Sequence, residues 1–271
     1  MERLTITAII SFILISVIFA GQSSAKIDNA TIAAMWLFDE GSGKAIKDSS
    51  GNKNDGTITG DFAWGNGKFG KALEFNGKNT IVDCGKGASL DFAGQKKISI
   101  TAWVKSNTNN MVSGMIIWKA LGCSTWAQYG FGVGAIEAVS APTNKLNFYY
   151  RKDNSGASEI VIDKNDIPVD EWVHVAGTYD GSLLSLYMNG NLVATQKSDG
   201  VPWASQEKVY IGGDPGCGIR YVWSGLMDEL LIFNTTLPID DVKSLMRGYA
   251  GATAVSPAGK LTTTWGDIKQ Q

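Results

Sequence analysis

Apolar residues in this chain recur at every second position, and the runs are broken by turn residues. In KISITAWVK, Ile98, Ile100, Ala102 and Val104 alternate with Ser99, Thr101 and Trp103; in EWVHVAGTYDG, Val173 and Val175 alternate with Trp172 and His174. Successive side chains of an extended strand point to opposite faces, so this period predicts strands with one face in a core. LLSLYMNGNLVAT carries Asn189-Gly190 between two apolar runs, and ALEFNGKNTIVDCG carries Asn76-Gly77. Asn-Gly accepts the positive φ angles of tight hairpins, so these pairs predict antiparallel neighbours. KLNFYYRK, KVYIGGD and GLMDELLIFN read as further strands. Helical spacing occurs in LPIDDVKSLM, where Ile239, Val242 and Leu245 follow Pro238. Many strands without βαβ alternation predict an all-β chain: a two-sheet antiparallel jelly-roll sandwich with one short C-terminal helix.

The 271 residues suit one large β domain. Formal net charge is −2, which gives no electrostatic footprint for nucleic acid. Leu4 to Ala20 is apolar, and Ser23-Ser24-Ala25 fits a cleavage site before Lys26. Residues 1–25 therefore read as a signal peptide, 26–250 as the domain and 251–271 as a peripheral tail, in a secreted or extracytoplasmic protein without a membrane span in the mature chain. An uncleaved leader acting as a membrane anchor is the alternative. Export makes a disulfide reasonable, and three cysteines leave one over. Cys123 and Cys217 lie in glycine-flanked loops and are expected to pair. Cys84 alternates with Val82 and is expected to be a buried free thiol.

Taken in order, MWLFDEGSGKAIKDSSGNKNDGTI, GKALEFNG, ISITAWVK, EWVHVAGTYDGSLLSLYMNGNLVA, VYIGG and GLMDELLIFNTTLPIDDVKSLM resemble the bacterial laminin-G-like, concanavalin-A-like jelly-roll domains. The resemblance runs from about Ala33 to Gly248. It implies the sandwich fold but does not choose a function, since the superfamily holds glycan-binding modules, adhesion domains and polysaccharide-cleaving enzymes.

In GLMDELLIF, unbroken alternation puts Asp228 on the side of Leu226, Leu230 and Ile232, which aims a carboxylate at the core. A buried carboxylate needs a cation or converging donors, and no Lys or Arg is adjacent in that strand. Calcium with oxygen ligands answers the need, and the glycine-rich stretch from Phe38 to Gly56 offers Asp39, Asp48, Asn52 and Asp55. The resemblance points the same way: such domains commonly carry a structural calcium joining the first loop to the acid of the last strand. Asp228 matches that acid, while Asp39 and Asp48 match the first segment. The spacing is not that of an EF-hand. The competing reading gives Asp48, Asn52 and Asp55 plain turn roles.

Jelly-roll glucanases place their acids as Glu-x-Asp-x-x-Glu on one strand, and no glutamate here begins that pattern. His174, the one histidine, lies within a strand and reads as structural. Trp126, Tyr129, Trp203, Tyr221 and Trp223 fall in polar loops or strand ends, where they could stack on sugar rings. The expectation is an exported non-catalytic module that binds a glycan or cell-surface glycoconjugate. A polysaccharide-degrading glycosidase or lyase with an unrecognised site, and a protein-binding adhesive domain, are the alternatives.

Overall fold

The computed structural model describes residues 27–120, 126–135, 141–153, 157–216 and 218–253. The leader, Cys123, Cys217 and the tail beyond residue 253 lie outside the described residues, and with them the signal peptide and the Cys123–Cys217 pairing. The strands run β1 (Ile32–Trp36), β2 (Ala45–Ile46), β3 (Gly56–Thr59), β4 (Phe62–Asn66), β5 (Lys71–Asn76) and β6 (Ile81–Asp83). Then follow β7 (Ile98–Ser106), β8 (Ser113–Lys119), β9 (Tyr129–Gly134), β10 (Lys145–Tyr150) and β11 (Glu159–Asp166). β12 (Val173–Tyr179), β13 (Leu183–Met188), β14 (Asn191–Lys197), β15 (Val209–Ile211) and β16 (Ser224–Phe233) complete the set. Two short helices, α1 (Ile239–Leu245) and α2 (Tyr249–Thr253), follow where the sequence predicted one.

All pairings between these strands are antiparallel. The first sheet has the order β14-β13-β12-β7-β16-β5-β4, with β1 also pairing β16; the second has the order β11-β10-β9-β8-β15-β6-β3-β2. The main core lies between them. It takes Ile98, Ile100, Ala102 and Val104 from β7 and Val173 and Val175 from β12, as alternation requires. From the second sheet come Tyr129, Phe131 and Val133 of β9 and Phe148 and Tyr150 of β10. Cys84 is a buried free thiol in this core.

Each sheet also carries an apolar cluster on its outer side. On the first, Leu231 and Phe233 pack with Leu237, Val242 and Leu245 of the C-terminal segment and with Ile27 and Met35. On the second, Met115, Trp118, Tyr149 and Tyr210 form a smaller cluster. The Asn189-Gly190 turn between β13 and β14 has φ angles of 49° and 71°, the left-handed pair that the sequence signal demands.

Candidate functional site

The last strand departs from unbroken alternation, and this moves Asp228. Met227 faces the main core, so Asp228 faces outward, paired with Trp103 of β7. The register then slips between Asp228 and Leu231, and Glu229 adopts φ 45°. This bulge returns Leu230 and Ile232 to the core side and Leu231 to the outer side. Asp228 therefore does not share a face with Leu230 and Ile232. It is nevertheless fully buried, because the turn between β4 and β5 and the C-terminal segment fold over it.

Within that turn, the Phe69 amide donates to Asp228 Oδ2 at 2.8 Å and the Lys71 amide donates to Asp39 Oδ1 at 2.9 Å. Glu229 Oε2 accepts from the Tyr249 amide at 2.6 Å. A Cβ on Gly67 would lie 2.3 Å from the Lys71 carbonyl oxygen, 2.4 Å from that of Phe69 and 2.6 Å from Asp228 Oδ2. Oxygen atoms thus crowd a spot that tolerates only glycine. Burial, with the charges of Glu229 and Asp39, pushes the Asp228 carboxyl up to about 7; burial and Asp39 do the same to Glu229, also to about 7. Among the described residues, Asp228 Oδ1 has no hydrogen-bond partner, and neither do Trp103 Nε1 and His174 Nδ1 in the same row.

These features suit a hard cation: buried carboxylate oxygen without a donor, a second acid beside it, and backbone carbonyls nearby. Among the described residues no three Asp, Glu, His or Cys side chains converge as a metal group, so carbonyl oxygens would have to complete any shell around Asp39 and Asp228. Asp48 and Asn52 do not join them as expected. Asp48 Oδ1 accepts from the amides of Met35 and Ser50, and Oδ2 from the amide and side chain of Asn54. Burial works to raise its pKa, but these donors outweigh it and hold the carboxyl below its ordinary value. Asn52 Nδ2 donates to the carbonyls of Ile32 and Ala33, and Asp55 accepts from the Asp48 amide. Both oxygens of Asp48 are therefore spent on donors, and turn chemistry accounts for this segment.

His174 sits against Trp103, ring centroids 5.4 Å apart, and burial pulls its pKa to about 4. It is neutral at physiological pH and sealed from solvent.

The expected aromatic residues divide by strand phase. Tyr129 is fully buried in the main core, its hydroxyl donating to Leu90, because β9 turns its odd positions inward. Trp223 is also fully buried there, so neither residue belongs to a surface platform. Trp203 is half-buried; its amide donates to the Arg151 carbonyl, and its own carbonyl accepts from Gln128. Trp126 is half-exposed, with the Arg151 guanidinium 5.0 Å from its ring centre and 5.2 Å from that of Tyr149. Tyr221 is half-exposed and edge-on to Trp118 at 6.0 Å, with the Arg220 guanidinium 4.8 Å from its ring.

The structure thereby assembles a row on the outer face of the second sheet that alternation did not reveal. Across the strands, Tyr149 pairs with Gly130, Gly130 with Trp118, Trp118 with Tyr210, Tyr210 with Asp83 and Asp83 with Thr57. Residues paired this way share a face. Tyr149 lies across Gly130, where a Cβ would come within 2.5 Å of its ring. The row grades from buried Tyr149 and Trp118, through half-exposed Asp83, to exposed Thr57. Two ion pairs border it: Lys208 Nζ to Asp83 Oδ2 at 2.7 Å, and Arg220 Nε to Asp214 Oδ2 at 2.8 Å. Burial, and then the charge of Asp83, raises the Tyr210 hydroxyl, with Asp214 adding to it. Trp118 Nε1 is buried, without a partner among the described residues. The alternating glycines of YGFGVG and the tyrosine in VYIGG were the available signals, but a register slip between Met115 and Ile117 hides the phase of Trp118.

A family profile described as the concanavalin A-like lectin/glucanases superfamily matches residues 76–243. Among solved structures, domain 4 of AbnA, a GH43 extracellular arabinanase from Geobacillus stearothermophilus in complex with arabinotriose, is 21% identical with a TM-score of 0.61. That match covers 80% of this chain and 98% of that one. The binding domain of Paraclostridial Mosquitocidal Protein 1 is 15% identical with a TM-score of 0.64, over 82% of this chain and 53% of that chain. A botulinum neurotoxin type C structure, described by its dependence on two ganglioside molecules for cell entry, is 15% identical with a TM-score of 0.59, over 81% and 51%. The chain thus corresponds to about half of each toxin chain, and identities this low speak for the fold alone. A search of curated proteins found no match. With the profile spanning more than half of its length and the two-sheet architecture in place, the chain belongs to the concanavalin A-like lectin/glucanase superfamily.

Proposed function

We propose that this protein is an exported, non-catalytic glycan-binding module whose ligand face is the outer surface of the second sheet. The observation that carries the reading is half-exposed Tyr221, edge-on to Trp118, with a polar shelf of Asp83 and Thr57 in the same row. Sugars present apolar ring faces and hydroxyl edges, and such a surface offers a counterpart for each. The two carboxyls raised furthest, Asp228 and Glu229, are buried on the other sheet, which supports binding without cleavage. Among the described residues no helix is long and apolar enough to cross a membrane. The arabinotriose complex of the similar arabinanase domain supports a sugar ligand. A glycan array, with reducing-end analysis of every bound sugar, tests the reading. Binding without new reducing ends is expected; cleavage, or no bound glycan, overturns it.

The orphaned oxygen of Asp228 favours a second proposal, a structural calcium. Asp39, Asp228 and carbonyls of the turn at Phe69 and Lys71 would hold it. It would supply the positive charge that this group of acids lacks. Isothermal titration with CaCl2 after chelator treatment is expected to show one site that Asp228→Asn removes; an equal response from the variant overturns the assignment.

A further inference from the structure

We infer that the outer-face site selects neutral glycans and rejects uronic or sialylated ones; this rests on the glycan-binding reading above. The cations bordering Trp118, Tyr210 and Tyr221 are already matched by carboxylates. Lys208 is held by Asp83 at 2.7 Å, and Arg220 by Asp214 at 2.8 Å. Asp214 is fully buried, so taking Arg220 from it would strand a buried charge, which is strongly unfavourable. Its loop is closed further by main-chain bonds in both directions between Asp214 and Arg220, at 2.9 and 3.1 Å. Arg220 therefore stays where it is, with its guanidinium against Tyr221.

What the site offers is a balanced set of dipoles. On its exposed side Asp83 is an acceptor, Lys208 is a donor, and the Thr57 hydroxyl can do either. A sugar hydroxyl both donates and accepts, so it can use every one of these groups without displacing an ion pair. A carboxylate can only accept. It would face Asp83 as a like charge and find Lys208 and Arg220 committed, a juxtaposition that discriminates against it.

The test compares arabinotriose and xylotriose with trigalacturonic acid and sialyllactose by isothermal titration, at about 50 and 500 mM NaCl. The expected result is at least about tenfold tighter binding of the best neutral sugar, changing less than about twofold between the two salts, since screening acts on unmatched charge. Asp83→Asn releases Lys208 and is expected to narrow the preference by about fivefold or more. Preference for an anionic sugar, with affinity falling steeply in salt, overturns the selectivity while leaving glycan binding intact. Failure of all four sugars and of the glycan array overturns the binding reading and this one with it. The wild-type salt comparison decides the matter even if Asp83→Asn does not fold.

Discussion

Asp228 owes its surroundings to one backbone step. Read as an unbroken strand, LMDELLIF sends it into the core with Leu230 and Ile232; the slip at Glu229 puts it instead beside Trp103 under the β4–β5 turn. That a carboxylate is buried near the last strand was legible, since the spacing required it to lie under something. Which side it faced was not, because a bulge changes phase without changing composition. The raised carboxyls have a consequence for stability. Unfolded Asp and Glu titrate near 4, while folded Asp228 and Glu229 hold their protons to about 7. The folded state thus binds more protons between about pH 4 and 7. Stability from these groups is full below the unfolded values and is lost as pH rises through the folded ones. In chelator, the Tm is expected to fall by roughly 5 °C or more between pH 5 and pH 8. Asp228→Asn removes much of that slope, whereas added calcium reverses it. Differential scanning calorimetry across pH reads all three; a rising Tm in chelator contradicts the account.

At the scale of elements, the strands with clean alternation and Asn-Gly turns, β7, β12, β13 and β14, followed directly from the sequence. β8 and β9 did not. MIIW is apolar on both faces and carries a slip, and β9 spends its outward positions on glycine, so neither shows a period. Those are the strands that set Trp118 and Tyr149, and the proposed binding face was hidden with them. Of the expected platform, Trp126, Trp203 and Tyr221 remain partly exposed, while Tyr129 and Trp223 lie in the core. The β4–β5 turn is the most sensitive element in this description. A Cβ on Gly67 meets backbone oxygens, which cannot swing aside, so Gly67→Ala is expected to cost about 2–4 kcal/mol. Urea unfolding measures it; a loss under about 0.5 kcal/mol would show that the turn is looser than described. Gly130→Ala meets the Tyr149 ring, a side chain able to move, and is expected to cost less, about 1–2 kcal/mol.

Across the whole molecule, the two outer faces of one sandwich are built differently. The first is closed by the C-terminal helices, the N-terminal residues and the buried acids; the second carries the aromatic row. They are separated by the main core, so each should respond to its own perturbation. Chelation is expected to lower Tm while leaving glycan affinity within about twofold at temperatures where the chain stays folded, because substitutions and ligands without shared partners act independently. The most direct measurement is therefore an affinity titration of the best array glycan against wild type and Tyr221→Ala. The account predicts affinity weakened at least about tenfold, the worth of one lost aromatic stack, with Tm changed by no more than about 2 °C. Unchanged affinity in a folded Tyr221→Ala protein would place the ligand elsewhere and contradict the assignment of this face.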